Sequence, residues 1–245
     1  MSKRIVKKVS SRTGLYPSTF FLSNALKVFE FKELLKDASI KETDIVLDIG
    51  CGRGLQTIMI GKKCKKIIGV DMSKEAVVGA RQLASYVPSV NAEFFCSDAR
   101  LMKFPISYFD KIFSICVLEH IPNYALVLKE CYRILKEGGQ LVFSVDSLET
   151  IQDVDLIRKH RQDNGVHQYF RSDALYDILD EIGFCQINIH AILRSCFARK
   201  LFIKGIKNGF RFGYIGSSLQ YPMLVRAERS SEEKKGIFLV AKCGK

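Results

Sequence analysis

Between residues 43 and 145, short continuous apolar runs alternate with stretches whose apolar residues recur every three or four positions. Asp44-Ile45-Val46-Leu47-Asp48-Ile49 is such a run, closing on an acid and glycines, which predicts a buried strand entering a turn. Leu55, Ile58 and Met59 follow at helical spacing, and Lys66-Ile67-Ile68-Gly69-Val70-Asp71 predicts a second strand. Ser73 then reads as an N-cap, with Glu75 in the first turn and Val77, Ala80, Leu83 and Ala84 as the apolar stripe. Residues 92–97 predict a third strand closing on Asp98, residues 111–116 a fourth, and residues 140–145 a fifth ending at Asp146. The helix between the last two begins near Asn123, packs through Leu128, Cys131, Ile134 and Leu135, and is expected to stop at Gly138-Gly139. Buried strands alternating with helices imply an α/β fold, a parallel sheet covered on both faces with its ligand site at the carboxyl ends of the strands.

Beyond residue 150 a helix is predicted over 173–182, capped by Ser172 and ended by Gly183. Strands at 185–192 and 236–243 flank a basic, glycine-interrupted insertion, 193–235. The whole chain, 1–245, reads as one domain: an N-terminal helical cap (1–42), a ligand-binding core (43–150) and a substrate-side half (151–245). Hydrophobic residues make up 47% and charged residues 26%, a balance that excludes a disordered or collagen-like chain. No run approaches the ~18 apolar residues of a membrane span. Lys3, Arg4, Lys7 and Lys8 are not followed by the apolar core and cleavage site of a secretory leader. The eight cysteines include no C-x-x-C pair, so reduced thiols in a cytoplasmic protein are expected and no metal site is built from them.

The net charge of +12 is concentrated. Lys3, Arg4, Lys7, Lys8, Arg12 and Lys27 lie in residues 1–29, which hold no acid; Arg194, Arg199, Lys200, Lys204, Lys207 and Arg211 lie in 194–214, again without one. Lys200, Lys204, Lys207 and Arg211 share one helical face and Phe202, Ile203, Ile206 and Phe210 the other, with Gly205 and Gly209 weakening the helix. Such a stretch suits either peripheral contact with an anionic membrane or a lid over an acceptor pocket. Nucleic acid ranks third, because no RNA or DNA module accompanies the charge.

The chemistry centres on Asp48-Ile49-Gly50-Cys51-Gly52-Arg53-Gly54. Glycines after a strand let the backbone turn tightly and approach a ligand. A dinucleotide loop requires a third glycine where Leu55 stands, and a P-loop requires Gly-Lys-Ser/Thr, which is missing. Asp71 follows Asp48 by 23 residues, close to the ~20-residue offset at which an acid meets a ribose diol. Asp98 ends the next strand, where it can accept from an exocyclic amine. Three acids at successive strand ends suit an adenosine without phosphates and repel a pyrophosphate.

Val46-Leu47-Asp48-Ile49-Gly50-Cys51-Gly52-Arg53-Gly54, Gly69-Val70-Asp71-Met72-Ser73, Ser97-Asp98-Ala99 and Phe109-Asp110-Lys111-Ile112 resemble, in order, the motifs of class I S-adenosylmethionine-dependent methyltransferases. Val117-Leu118-Glu119-His120-Ile121-Pro122 and Leu135-Lys136-Glu137-Gly138-Gly139 resemble the methyltransferase type 11, or ubiquinone-type, subgroup. The resemblance covers residues 43–150 and implies a Rossmann-like seven-stranded sheet, mostly parallel, with an antiparallel last strand. It implies S-adenosylmethionine as cofactor, with Gly50, Cys51 and Gly52 passing the methionine part and Asp48 and Met72 in the same motifs. It further implies that Asp71 holds the ribose, that Asp98 and Ala99 read adenine, and that Ile115 packs against the adenosine or sulfonium side.

A sulfonium is a strong electrophile, so catalysis is mainly in-line positioning plus a base where the nucleophile carries a proton. His120, just past the fourth strand, is the first candidate base, and His167 with Tyr169 the alternative. Some ubiquinone-type relatives hold a divalent metal with acids around this Glu-His pair, but Cys116 stands where the preceding acid is expected, so no metal is assigned. Ser114-Ile115-Cys116-Val117 lacks both the Asn/Asp-Pro-Pro-aromatic tetrapeptide of base-amine methylases and the Pro-Cys pair of cytosine methylases. A small, saccharide or lipid-linked acceptor methylated at oxygen is therefore the leading expectation. An RNA methyltransferase using the basic ends and a catalytically silent scaffold are the alternatives.

Overall fold

The computed structural model describes residues 24–36, 38–212 and 214–245. Its strands are β1 (Ile45–Ile49), β2 (Lys66–Asp71), β3 (Ala92–Cys96), β4 (Phe109–Ile115), β5 (Leu135–Asp146), β6 (Cys185–Ile192) and β7 (Phe238–Gly244). They form one sheet in the order β3-β2-β1-β4-β5-β7-β6. The first five run parallel, and β7 pairs antiparallel with both neighbours, Ala241 lying opposite Phe143 on one side and Ile189 on the other. The expected seven-stranded sheet and its antiparallel last strand are both present.

Strand alternation divides the apolar residues between two cores. Val46, Ile67, Phe113 and Val240 face one layer, Leu47, Ile68, Ile112 and Leu239 the other. The first layer is covered by α1 (Ala25–Lys36), α2 (Leu55–Gly61), α3 (Lys74–Ala84), α7 (Cys196–Asn208) and α8 (Tyr214–Arg229). The second is covered by α4 (Tyr124–Ile134) and α6 (Ser172–Ile182), while α5 (Val154–Asn164) packs on α7. β1 lies between β2 and β4, so the chain leaves it in opposite directions and opens a crevice at its carboxyl end.

Most sequence-predicted elements stand within a residue or two of their expected bounds. Ser73 accepts from the Ala76 N–H as the N-cap of α3. Two expectations are corrected. The helix expected to stop at Gly138-Gly139 ends at Ile134, and those glycines lie inside β5. The Gly138 N–H donates to the Lys245 carbonyl at 2.9 Å with φ +75, and the β4–β5 register jumps from Phe109↔Leu135 to Lys111↔Gln140, so the glycines form an irregularity near the start of β5. Ser172 is the first residue of α6; Arg171 holds the cap position without a side-chain bond, while Gly183 ends the helix at φ +105 as expected.

The insertion 193–235 holds α7, over the stretch where a basic-faced helix was expected, and a second helix, α8. Gly205 is buried in α7, where an added Cβ would stand 2.5 Å from the Phe210 ring, so it is needed for close packing. Gly209, at φ +65, ends α7, leaving Arg211 beyond the helix that carries Lys200, Lys204 and Lys207. The start of α7 is held from α8: the buried Glu228 carboxylate accepts from the Arg194 and Ser195 N–H groups at 2.9 and 2.8 Å. All eight cysteines are free thiols. Of the segment expected to form a helical cap, 1–42, the described part holds α1, whereas Lys3, Arg4, Lys7, Lys8 and Arg12 lie outside the described residues.

Glu228→Ala would leave two backbone donors at the buried start of α7 without their acceptor, at a cost of about 1–3 kcal/mol. Urea unfolding should show a lower midpoint by that amount with an unchanged slope.

Candidate active site

The loop after β1 turns because its glycines occupy left-handed backbone: Gly50, Gly52 and Gly54 have φ of +70, +52 and +78. Two are also sterically required. A Cβ on Gly50 would stand 2.3 Å from the Val117 side chain, and one on Gly54 2.9 Å from Ala80. Gly52 differs, since a Cβ there would meet nothing within 4 Å and would project into open space. That is the place a ligand can approach the backbone.

The loop is tied to β2. The Gly50 and Cys51 N–H groups donate to the Val70 carbonyl at 2.8 and 3.0 Å, and the Gly52 N–H donates to Asp71 Oδ2 at 2.8 Å. Asp71 Oδ1 accepts from the Ser73 N–H, which holds the carboxylate at the strand end with lone pairs to spare for a diol. Asp48 lies underneath, buried and accepting from Thr57 Oγ1 at 2.5 Å; burial raises its carboxyl to about 7. It braces the loop from below.

A cleft of about 370 Å³ runs past Gly50, Cys51, Gly52 and Ile115, four of the sequence-predicted cofactor residues, and is completed by Asn24 and Lys27 of the N-terminal segment, with Cys116. Asp71, Met72, Asp98 and Ala99 lie outside its lining, along the ends of β2 and β3. Met72 is 75% exposed and Ala99 is buried. Asp98 Oδ2 is paired with Arg100 Nη2 at 2.6 Å, and the side-chain and backbone bonds from Arg100 lower its pKa. Reading an adenine amine there requires Asp98 to share its oxygens with that guanidinium.

Next to this cleft is a second cavity of about 350 Å³ under α7. Phe202, Phe210 and Phe238 form apolar walls, and Glu119, His120, Asp146 and His160 supply polar groups. Asn24, Lys27 and Cys116 line both spaces, so cleft and cavity meet there. Cys116, at φ +51, turns the chain out of β4. A larger cavity of about 1010 Å³ beside α1, α8 and β6 includes none of the glycine loop or the Glu-His pair.

His120 is where the sequence put it, on the cavity, with Nδ1 3.3 Å from the Gly165 carbonyl oxygen; burial lowers its pKa. His167 is exposed and outside the lining, its N–H donating to the Glu119 carbonyl, and Tyr169 turns its hydroxyl toward His160. The sequence reading missed Lys27, Glu30 and His160. Glu30 is fully buried, its Oε1 accepting from Ser144 Oγ at 2.5 Å and Cys116 Sγ at 2.8 Å and its Oε2 paired with Lys27 at 2.9 Å. Burial opposes the Lys27 charge, but Cys116, Glu30 and Asp146 outweigh it and hold its pKa well above the ordinary value. The one available signal was an acid set between Phe29 and Phe31, within the apolar run that starts at Val28.

Cys116, Glu119 and Asp146 bring one donor atom each within 4.8 Å of one another. They do not suit the divalent metal of some relatives. The thiol is committed to Glu30, burial pushes its pKa well up, and the Lys27 ammonium already supplies positive charge to the same group of acids.

Gly52→Val should abolish S-adenosylhomocysteine binding in calorimetry while circular dichroism stays unchanged, because the side chain would fill the ligand's approach. Asp71→Ala should weaken it tenfold or more, as hydrogen bonds to a charged group contribute about 1.5–3 kcal/mol. Unchanged affinity in either variant, with the fold intact, would show that the cofactor lies elsewhere.

Residues 47–143 match the family model described as a methyltransferase domain, Methyltransf_11. The ubiquinone biosynthesis O-methyltransferase of Coxiella burnetii is 34% identical over 99 residues, 40% of this chain and 42% of that protein. This chain thus aligns with less than half the length of the curated relatives it matches. Phosphoethanolamine N-methyltransferase 2 of Haemonchus contortus, solved with S-adenosylhomocysteine, superposes with a TM-score of 0.66 at 17% identity, over 89% of this chain and 52% of that one. The [4+2]-cyclase SpnF superposes with a TM-score of 0.64 at 17% identity, over 89% of this chain and 80% of its own. At such identities the likeness shows the fold. With the family match, the ordered motifs and the seven-stranded sheet in agreement, residues 47–143 form a class I S-adenosylmethionine-dependent methyltransferase domain of the type 11 kind.

Proposed function

We propose that the protein transfers the methyl group of S-adenosylmethionine to a hydroxyl oxygen of a small, saccharide or lipid-linked acceptor held under α7. The observation that carries this reading is the junction at Asn24, Lys27 and Cys116, where the cofactor cleft opens into an aromatic-walled cavity. A sulfonium methyl presented there faces an acceptor in line, with Phe202, Phe210 and Phe238 excluding water. Oxygen is favoured by the O-methyltransferase name of the matched relatives. A fold that also serves a cyclase makes a direct assay necessary.

Incubation with methyl-tritiated S-adenosylmethionine and catechol, glucose or decanol should label at least one of the three hydroxyl compounds. Label appearing only on amines or RNA would overturn the oxygen reading, and none on any acceptor would favour a silent scaffold.

A second reading concerns location. Lys200, Lys204 and Lys207 are exposed on the helix whose buried Phe202 roofs the cavity, so an anionic surface and the acceptor's entrance would lie on one element. Among the described residues no helix is long and apolar enough to cross a membrane. Peripheral attachment would deliver a lipid-linked acceptor, each lysine contributing roughly 1 kcal/mol near the surface. Vesicles containing phosphatidylserine should sediment the protein at low salt and phosphatidylcholine vesicles should not. Changing the three lysines to glutamine should release it with cofactor binding intact. No sedimentation of the unaltered protein would refute the attachment.

A further inference from the structure

We propose that the proton of the acceptor hydroxyl passes to a carboxyl pair, Glu119 with Asp146, standing at the junction of cavity and cofactor cleft. The inference rests on the oxygen reading above and names the group that completes it. Glu119 is fully buried, and neither of its carboxylate oxygens receives a hydrogen bond from a donor, although it lines the cavity. Asp146, 5% exposed, lines the same space, with Oδ1 3.9 Å from Cys116 Sγ, the residue common to cavity and cleft. A carboxylate oxygen of each acid lies within 4.8 Å of the other, and two buried carboxyls so close do not both ionise, so the pair keeps a proton.

The surrounding charges set how that proton is held. Lys27 and Glu30 face the pair from α1, Cys116 and His120 from the end of β4 and the turn after it, and His160 from α5 at 3.8 Å from Asp146 Oδ2. Lys27 is paired with Glu30 and also lowers Glu119 and Asp146, so one ammonium serves three carboxyls and burial outweighs it at the pair. Burial, followed by the charge of Asp146, raises Glu119 well above the carboxylate range, and burial raises Asp146 to about 7. Burial works oppositely on the imidazoles, lowering His120 and taking His160 down to about 4. In this cavity the carboxyl pair is therefore the better proton acceptor near neutral pH.

The step balances. The acceptor O–H bond breaks and its proton takes the pair from one shared proton to two. The oxygen lone pair forms the O–C bond as the S–C bond breaks, its electrons leaving with a now neutral thioether. The pair then returns the proton to solvent. Since the ionised pair is the active form, transfer should rise with pH along a limb near 7. Asp146→Asn should slow it about 100-fold. Glu119→Gln, whose amide can donate to Asp146, should move the limb to lower pH, which a merely structural role would not do. The limb near pH 7 should persist in His120→Ala.

The deciding experiment begins with infrared difference spectroscopy of the wild-type full chain, bound to S-adenosylhomocysteine and labelled with carbon-13 at the aspartate carboxyl. A protonated-carboxyl band shifted by the label and disappearing with a midpoint near pH 7 is expected, and it requires no variant to fold. Absence of that band between pH 5 and 9 would overturn the pair alone. The band together with no transfer to catechol, glucose or decanol would overturn the oxygen reading, and this step with it. Transfer at the wild-type rate in Asp146→Asn, with a large loss in His120→Ala, would return the role to the imidazole.

Discussion

The backbone of the glycine turn is pinned to the end of β2 by the Asp71 carboxylate and the Val70 carbonyl, and the rest of the site depends on that attachment. Parallel strands leave their carboxyl-end groups without ladder partners, so the crevice beside β1 is where polar backbone can face a ligand. Gly50 can bend there only because it carries no side chain against Val117, and Gly54 only because Ala80 and Phe94 press on it. Their packing leaves Gly52 facing open space. The same residue, Asp71, thereby orders the loop and stands where the cofactor's ribose is expected.

The acceptor side is built on a different constraint, the burial of acids. Glu30, Glu119 and Asp146 come from α1, from the turn after β4 and from the end of β5. Each has left water, and an unpaired buried carboxylate is costly. Glu30 is stabilised by Lys27, Ser144 and Cys116. Glu119 has no hydrogen-bond donor, and Asp146 meets only the Cys116 thiol and His160 at 3.9 and 3.8 Å, so a proton held between the two acids would lower their shared cost. Placing the ionisable groups beneath aromatic rings and beside a sulfonium site gives a cavity in which proton affinity, more than metal binding, is adjusted.

The sheet was legible because parallel strands buried on both faces read as unbroken apolar runs, as Ile45-Val46-Leu47 and Ile67-Ile68 do. The loop and Ile115 were legible because their roles are local to one strand end. α5 was not, since His160 is its only fully buried residue and almost no apolar stripe shows. α8 was hidden by Pro222 and Gly216. Gly138-Gly139 misled because glycines end helices and interrupt strands alike. Lys27 and Glu30 were out of reach for another reason: Glu30 meets Ser144 across 114 positions, and only folding brings such partners together.

The central claim is that the turn after β1 receives an adenosine without phosphates. Calorimetric titration of the wild-type protein with S-adenosylhomocysteine, repeated in the presence of excess NADH, tests it most directly. One molecule should bind per chain, with an affinity that NADH leaves unchanged. Competition by NADH, or no binding of S-adenosylhomocysteine to the folded protein, would contradict it.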